Sequence, residues 1–240
     1  MQNRYTGDIG DFGKLGLLRI IEAAGLTIGV NWYLTPDEKH NGDGCHIRYL
    51  ELEAYRECDS FLWEKLKSIV ETGEREVFAI QSESVLNATF FSVPLDFQRK
   101  AKSDRTAFRE SWHKNALYNL FGLDVVFVDP DNGLIVPSAV GTAKENKYAL
   151  INEIADYYRQ GSSVMYYQHK ARRKDSFYLD QQKRLIERPE FKGADSLTLK
   201  FITTSQRYYF FILQPKHQKI ITDAVCKRIT STWGRHFCIL

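Results

Sequence analysis

LDVVFVDPDNGL, residues 123–134, is the stretch whose reading decides the fold. From Val125 to Val128 it is uninterruptedly apolar, with no polar residue to face water. A strand with one wet face alternates, whereas an unbroken run marks a strand buried on both faces, as in the centre of a parallel sheet covered by helices. The character then changes at once. Asp129, Pro130, Asp131, Asn132 and Gly133 are all turn-forming residues. A buried strand that ends in carboxylates delivers them to the sheet edge where open α/β folds bind their ligands.

The surrounding sequence extends this pattern. Upstream, DFGKLGLLRIIEAA (11–24) reads as a mostly buried helix with Asp11 as N-cap and Gly25 as stop, and TIGVNWYL (27–34) follows as a strand. Residues 59–72 place Phe61, Leu62, Leu66, Ile69 and Val70 at helical spacing between Asp59 and Gly73. REVFAI (75–80) and TFFSVPL (89–95) read as short strands, and 104–121 as a helix with Phe108, Trp112, Leu117 and Leu120 on its apolar side. Downstream come a helix near 145–160, the strand SVMYY (163–167) and a helix near 175–187. SLTLKFI (196–202) and RYYFFIL (207–213) are close enough to pair as an antiparallel hairpin. Pro215 opens a last helix with Ile220, Ile221, Val225 and Ile229 inward. The alternation predicts an α/β fold, a single three-layer Rossmann-like domain over residues 1–240 with a mostly parallel sheet and a C-terminal antiparallel hairpin.

Composition narrows the class. With 43% hydrophobic and 26% charged residues, the chain reads as a globular protein rather than a disordered, collagenous or coiled-coil one. No apolar run approaches the roughly 18–20 residues of a membrane span, and MQNRYTGDIGDFGK is not a secretory signal, so no membrane partner is expected. Cys45, Cys58, Cys226 and Cys238 are scattered without a CxxC pair, which suits reduced thiols and a cytoplasmic location. A net charge of +3 neither demands nor excludes a nucleic-acid partner. The basic residues nevertheless concentrate in QHKARRKD (168–175) and along Lys216, Lys219, Lys227, Arg228 and Arg235. Such groups form either a track for phosphates or merely solvated helix faces.

Three polar clusters follow strands and are expected to meet on one edge: Thr35 to His46, Asp129 to Gly133, and Gln168 to Lys170. Asp129 and Asp131 have the spacing to share a divalent cation or divide acid and base roles, and Asn132 is both donor and acceptor. The alternative is a plain Asp-Pro-Asp-Asn-Gly turn. GDIGDFGK (7–14) offers backbone N–H groups and Lys14 to an anion, or else its glycines serve packing while Asp8 or Asp11 caps the helix. NGDGCH (41–46) is either a ligand loop or a surface loop. His40 and His46, near Asp37 and Glu38, match no zinc spacing.

In their order these pieces resemble the large-subunit ribosomal-RNA adenine-N6 methyltransferases, within the SAM-dependent Rossmann-like methyltransferase superfamily. RYTGDIGDFGKLGLL (4–18) stands where that family carries its Tyr-Arg…His-Ala-Gly-Asn…Asp-Val…Lys stretch. IGVNWYLTPDEKHNGDG (28–44) stands in place of the first strand and its cofactor loop, and Asp129-Pro130-Asp131-Asn132 in place of Asp-Pro-Pro-Tyr. The resemblance implies SAM-dependent methylation of nucleic acid. Asp129, Asp131 and Asn132 would act on the substrate amine. Gly7, Asp8, Asp11, Lys14, Thr35, Asp37, Asn41, Gly42 and Gly44 would line the cofactor side, and Gln168, His169, Lys170, Arg172 and Arg173 would hold the substrate.

The chain also departs from the family pattern. Asp131-Asn132 replaces Pro-Tyr, no Gly-x-Gly directly follows the first strand, and no carboxylate ends VFAI, where Glu83 is the nearest candidate for a ribose partner. Two other readings stay open. The Asp-x-Asp strand end is similar to that of Toprim nucleases and primases, where Asp129 and Asp131 would hold Mg²⁺, although the upstream Glu-Gly pair is missing. The third is a non-catalytic nucleotide- or nucleic-acid-binding module.

Overall fold

The computed structural model describes residues 1–38, 44–98, 100–203 and 206–240. In chain order the elements are α1 (Ile9–Glu22), β1 (Ile28–Asn31), α2 (Glu53–Arg56), α3 (Ser60–Thr72), α4 (Val77–Ser82), β2 (Ala88–Phe91), α5 (Arg105–Asn119) and β3 (Val125–Val128). A two-residue pair, β4 (Gly133–Leu134) and β5 (Tyr148–Ala149), precedes α6 (Ile151–Arg159), β6 (Ser163–His169) and α7 (Asp175–Ile186). The chain closes with β7 (Asp195–Phe201), β8 (Arg207–Leu213), α8 (Pro215–Ile229) and β9 (Phe237–Ile239).

The main sheet has seven strands in the order β2-β1-β3-β6-β8-β7-β9. Pairings from β2 through β6 are parallel, and those from β6 to β9 are antiparallel. The parallel share is thus half of the sheet, less than the sequence pattern predicts, because the C-terminal hairpin gains a third antiparallel strand in β9. From β1 the chain moves outward to β2 and then returns to β3 on the other side, so the strand order reverses beside β1. Asn31 and Val128 are register partners, and the loops after β1 and β3 leave the sheet level with one another.

Helices cover both faces, which explains the unbroken apolar run of β3. Val125 and Phe127 enter one core with α1, α3 and α8, while Val126 and Val128 enter the other with α5, α6 and α7. All four are fully buried. Helix α1 approaches the sheet closely because it carries glycine every third residue on one side. A Cβ at Gly13 would lie 2.9 Å from the Phe201 ring, and one at Gly16 would lie 2.2 Å from the Trp233 ring.

Several expected elements are corrected. REVFAI is not a strand: Val77–Ser82 forms α4, with Val77 and Ile80 buried three residues apart and Glu76 extended before it. A short apolar run reads equally as strand or buried helix, and here the following ATFF takes the place beside β1. Helix α1 is capped by Asp8, not Asp11. The helix near 145–160 is shorter, since residues 143–147 form a 3-10 turn. On α8 the inward stripe is His217, Ile221, Val225 and Ile229, leaving Ile220 43% exposed. Among the described residues no helix is long and apolar enough to cross a membrane.

Candidate functional site

The carboxyl ends of β1, β3 and β6 and the start of α1 enclose a cavity of ≈ 330 Å³, within the size range of small-molecule sites. At its floor stands Lys14. The first two turns of α1 point this side chain along the sheet edge, where Nζ lies 2.5 Å from Asp129 Oδ2 and 2.7 Å from Asp11 Oδ1. All three residues are buried. Burial opposes charge on the ammonium, but Asp11 and Asp129 more than offset this and raise the Lys14 pKa. Burial also raises the Asp129 carboxyl above its ordinary range, against the pull of Lys14. Asp11 shifts the same way, from burial first, with Lys14 opposing.

Asp131 takes a different set of partners. The Met1 ammonium lies 2.7 Å from Oδ1, Gln2 Nε2 donates to Oδ2 at 2.8 Å, and the Thr35 hydroxyl donates at 3.3 Å. Burial works against its charge, yet the Met1 ammonium, the Gln2 hydrogen bond and the charge of Lys147 hold its pKa below the usual carboxylate value. The Met1 ammonium also donates to the carbonyls of Tyr33 and Asp129.

The glycine-rich N-terminal stretch does not cradle an anion. The Asp8 carboxylate accepts the N–H groups of Gly10 and Asp11, the Gly7 N–H goes to Asp11 Oδ2, and the Ile9 N–H goes to the His46 carbonyl. Its amides are therefore spent within the chain. Gly10 serves close approach instead, since a Cβ there would collide with the Arg207 guanidinium.

Gln168 braces the turn after β3. Its Oε1 accepts the Leu134 N–H, and its Nε2 donates to the carbonyls of Asn132 and His169. Gly133, at φ +112°, makes room for this bracket, because a Cβ there would fall 2.2 Å from Gln168 Oε1. The bracket fixes the backbone of Asn132, whose N–H also donates to the Lys147 carbonyl.

The three strand-end clusters do meet at this cavity. Asp8, Asp11, Lys14, Gly44, Asp129, Asp131, Asn132 and His169 all line it. Thr35 stands behind Asp131, and Asp37 accepts the Arg4 N–H at the surface. Gly7 lies deeper, where its carbonyl accepts the Tyr49 hydroxyl. Lys170, Arg172 and Arg173 fall on the loop directly after β6, with Arg172 and Arg173 exposed and Lys170 3.6 Å from Asp175. His40, Asn41 and Gly42 lie outside the described residues. Glu83 is no ribose partner, for it pairs with Lys65 after α4. After β2 comes Ser92, whose hydroxyl accepts from Gln81, so no carboxylate ends that strand.

Arg207 and Lys147 also line the cavity and were not among the residues anticipated; Tyr167 lines it too, one of several aromatics that the sequence offers either to a core or to a base. Arg207 is a cation opening the apolar strand RYYFFIL, an anomaly visible in the sequence. Lys147 carried no comparable signal. Burial pushes the Tyr167 hydroxyl up to about 12.

Five carboxylates, from Asp8, Asp11, Glu38, Asp129 and Asp131, line the cavity together with Lys14, Lys147, Arg207 and the Met1 ammonium. The carboxylates and cations of this lining are largely paired with one another. Among the described residues no three His, Cys, Asp or Glu side chains are arranged to hold a metal ion, and the Lys14 ammonium sits between Asp11 and Asp129. Compared with models of known protein families and with curated proteins, the chain finds no match.

Proposed function

We propose that the chain is a methyltransferase-like enzyme that uses SAM to methylate an amine on nucleic acid. The contact between Lys14 and Asp129 carries this reading. It joins, across 115 residues of sequence, the two stretches on which the resemblance to the rRNA adenine methyltransferases rests. Further support comes from the place of the contact, at the carboxyl ends of parallel strands beside the reversal in strand order. The parallel strands followed by C-terminal antiparallel ones also suit a Rossmann-like scaffold.

When bound, SAM supplies a methyl group on a positively charged sulfur. The chain's own residues position the acceptor. Lys14 holds Oδ2 of Asp129, and Oδ1, which has no hydrogen-bond partner among the described residues, accepts an N–H of the target amine. As the nitrogen takes the methyl group it becomes cationic, and the buried carboxylate stabilises that charge and receives the proton the nitrogen sheds. Placement does most of the work, since an amine held in line needs orientation more than a strong base. Asp8, Asp11 and Glu38, though each is paired within the chain, add negative charge on the cofactor side. The basic loop at residues 170–174 meets nucleic-acid phosphates at the rim.

Calorimetric titration with SAM tests the reading. Saturable binding that disappears in Asp129→Asn and Lys14→Met is expected. No binding at millimolar SAM, or Mg²⁺-dependent cleavage of nucleic acid that Asp129→Ala abolishes, overturns it.

A further inference from the structure

Five carboxylates and four cations line the cavity among the described residues, counted with the histidines uncharged. Pairing them off leaves one carboxylate over. Asp131 takes the Met1 ammonium, Glu38 takes Lys147, and Arg207 draws first on Asp8 among the carboxylates around it. Lys14 alone is divided, with Nζ 2.7 Å from Asp11 and 2.5 Å from Asp129. The group formed by Asp11, Lys14 and Asp129 therefore carries one unmatched negative charge at the buried floor of the cavity. A buried charge without its counter-charge is costly to keep.

This charge is also open to a ligand. Asp129 is 3% exposed, and while Lys14 holds Oδ2, Oδ1 has no hydrogen-bond partner among the described residues. Tyr167 stands beside it. Val128 and Tyr166 are register partners, so the residues that follow them, Asp129 and Tyr167, lie side by side on adjacent strands. They share the face that Phe127 and Met165 turn toward α1. The Tyr167 ring lines the cavity and packs edge-on against Tyr209, with centroids 6.2 Å apart. A carboxylate next to an aromatic ring attracts a positive centre even when that centre has no N–H to donate, because neither attraction needs a hydrogen bond.

We propose that the cavity selects its ligand by charge: the unmatched carboxylate of Asp11 and Asp129, together with the Tyr167 ring, seats one sulfonium or quaternary ammonium centre and rejects the neutral molecule of the same shape. On the methyl-transfer reading, on which this application rests, the cavity holds SAM and releases S-adenosylhomocysteine. A cavity that contains a sulfonium is electrically matched. In the transfer the S–CH₃ bond breaks with its electron pair left on sulfur, and the lone pair of the target nitrogen forms the N–CH₃ bond. Asp129 Oδ1 takes the proton that the nitrogen sheds. When that proton passes to solvent the negative charge returns, and the neutral sulfide has nothing to match it.

Calorimetric titration of the full chain with SAM and with S-adenosylhomocysteine reads the selection. SAM should bind about tenfold or more tightly, the difference that a desolvated charge contact supplies. Asp11→Asn leaves four carboxylates against four cations and gives Lys14 to Asp129 alone. SAM should then lose its advantage, with the affinity for S-adenosylhomocysteine unchanged. Tyr167→Leu should narrow the preference about threefold through loss of the ring face. Choline and 3,3-dimethyl-1-butanol share a shape and differ in charge, so they repeat the comparison without the cofactor. Choline should be the tighter of the two by a similar factor. A thermal melt of each variant separates a lost preference from a lost fold.

Equal affinity of the wild-type protein for SAM and S-adenosylhomocysteine, or an undiminished preference in folded Asp11→Asn, overturns the proposal and leaves the cofactor reading standing. If neither of these ligands binds, the methyl-transfer reading falls and the choline pair decides. Preference for choline then upholds selection by charge, and equal or absent binding of the pair overturns it as well.

Discussion

Lys14 is the residue on which the site turns. Replacing it with Met keeps the length of the side chain but leaves Asp11 and Asp129 buried without their shared cation. Removing one partner of a buried ion pair costs about 3–5 kcal/mol, and urea unfolding of Lys14→Met should show a loss of that size. Its raised pKa says the same thing, since the two carboxylates favour the charged ammonium in the folded state. Gly16 tests packing instead. Its Cβ position lies 2.2 Å from the Trp233 ring, so Gly16→Ala should cost about 1–3 kcal/mol through overpacking despite the better helix propensity of alanine. Asp129 was legible because it ends an unmistakable buried strand. Tyr167 was not, because an aromatic residue inside a strand looks like core until the neighbouring strands show which way it faces.

Individual elements carry their own predictions. His217 ties α8 to the starts of two strands: Nε2 lies 3.2 Å from Asp124 Oδ1, just before β3, and Nδ1 lies 3.1 Å from the Ser163 hydroxyl at the start of β6. Burial, and then Lys216, lower its pKa from 6.5, with Asp124 opposing. His236, stacked on Tyr55, is lowered for the same first reason. The folded state therefore resists protons that the unfolded chain accepts. Stability from these two residues is complete above about pH 6.5 and declines as pH falls through their folded pKa values. Urea midpoints at pH 7.5 and 5.5 should differ in that direction, and His217→Gln or His236→Gln should each flatten the slope. The apolar run VVFV revealed its element because it is bounded by Asp on both sides and leads into a turn. VFAI did not, since four apolar residues suit a helical turn as well as a strand, and only the competition with ATFF for the place beside β1 decided between them. The three-residue β9 is too short to leave a pattern.

Across the whole molecule, the loops after β1, β3 and β6 converge, as the strand-end clusters suggested. What could not be read was the closure of the cavity by Arg207, which depends on β8 lying between β6 and β7. The exposed cations after His169 give a prediction at this scale. If Arg172 and Arg173 bind phosphates, replacing both with Ala should weaken binding of any nucleic-acid sequence alike. The slope of log affinity against log salt should also fall by about 2, one for each arginine replaced. Unchanged binding and slope would remove this loop from the interface.

The contact of Lys14 with Asp129 spans 115 residues, and that distance along the chain has a consequence for measurement. A partly folded chain has no cavity, because residue 14 and residue 129 meet only after the parallel strands have assembled. Occupancy of the cavity is thus tied to the cooperative unfolding of the parallel half, and a ligand that binds there stabilises the native state as a unit. At a hundred times its Kd such a ligand adds about 2.7 kcal/mol, enough to move the melting temperature visibly. A melting curve recorded against a panel of small cations and nucleosides therefore reports on the site before any reaction has been assayed.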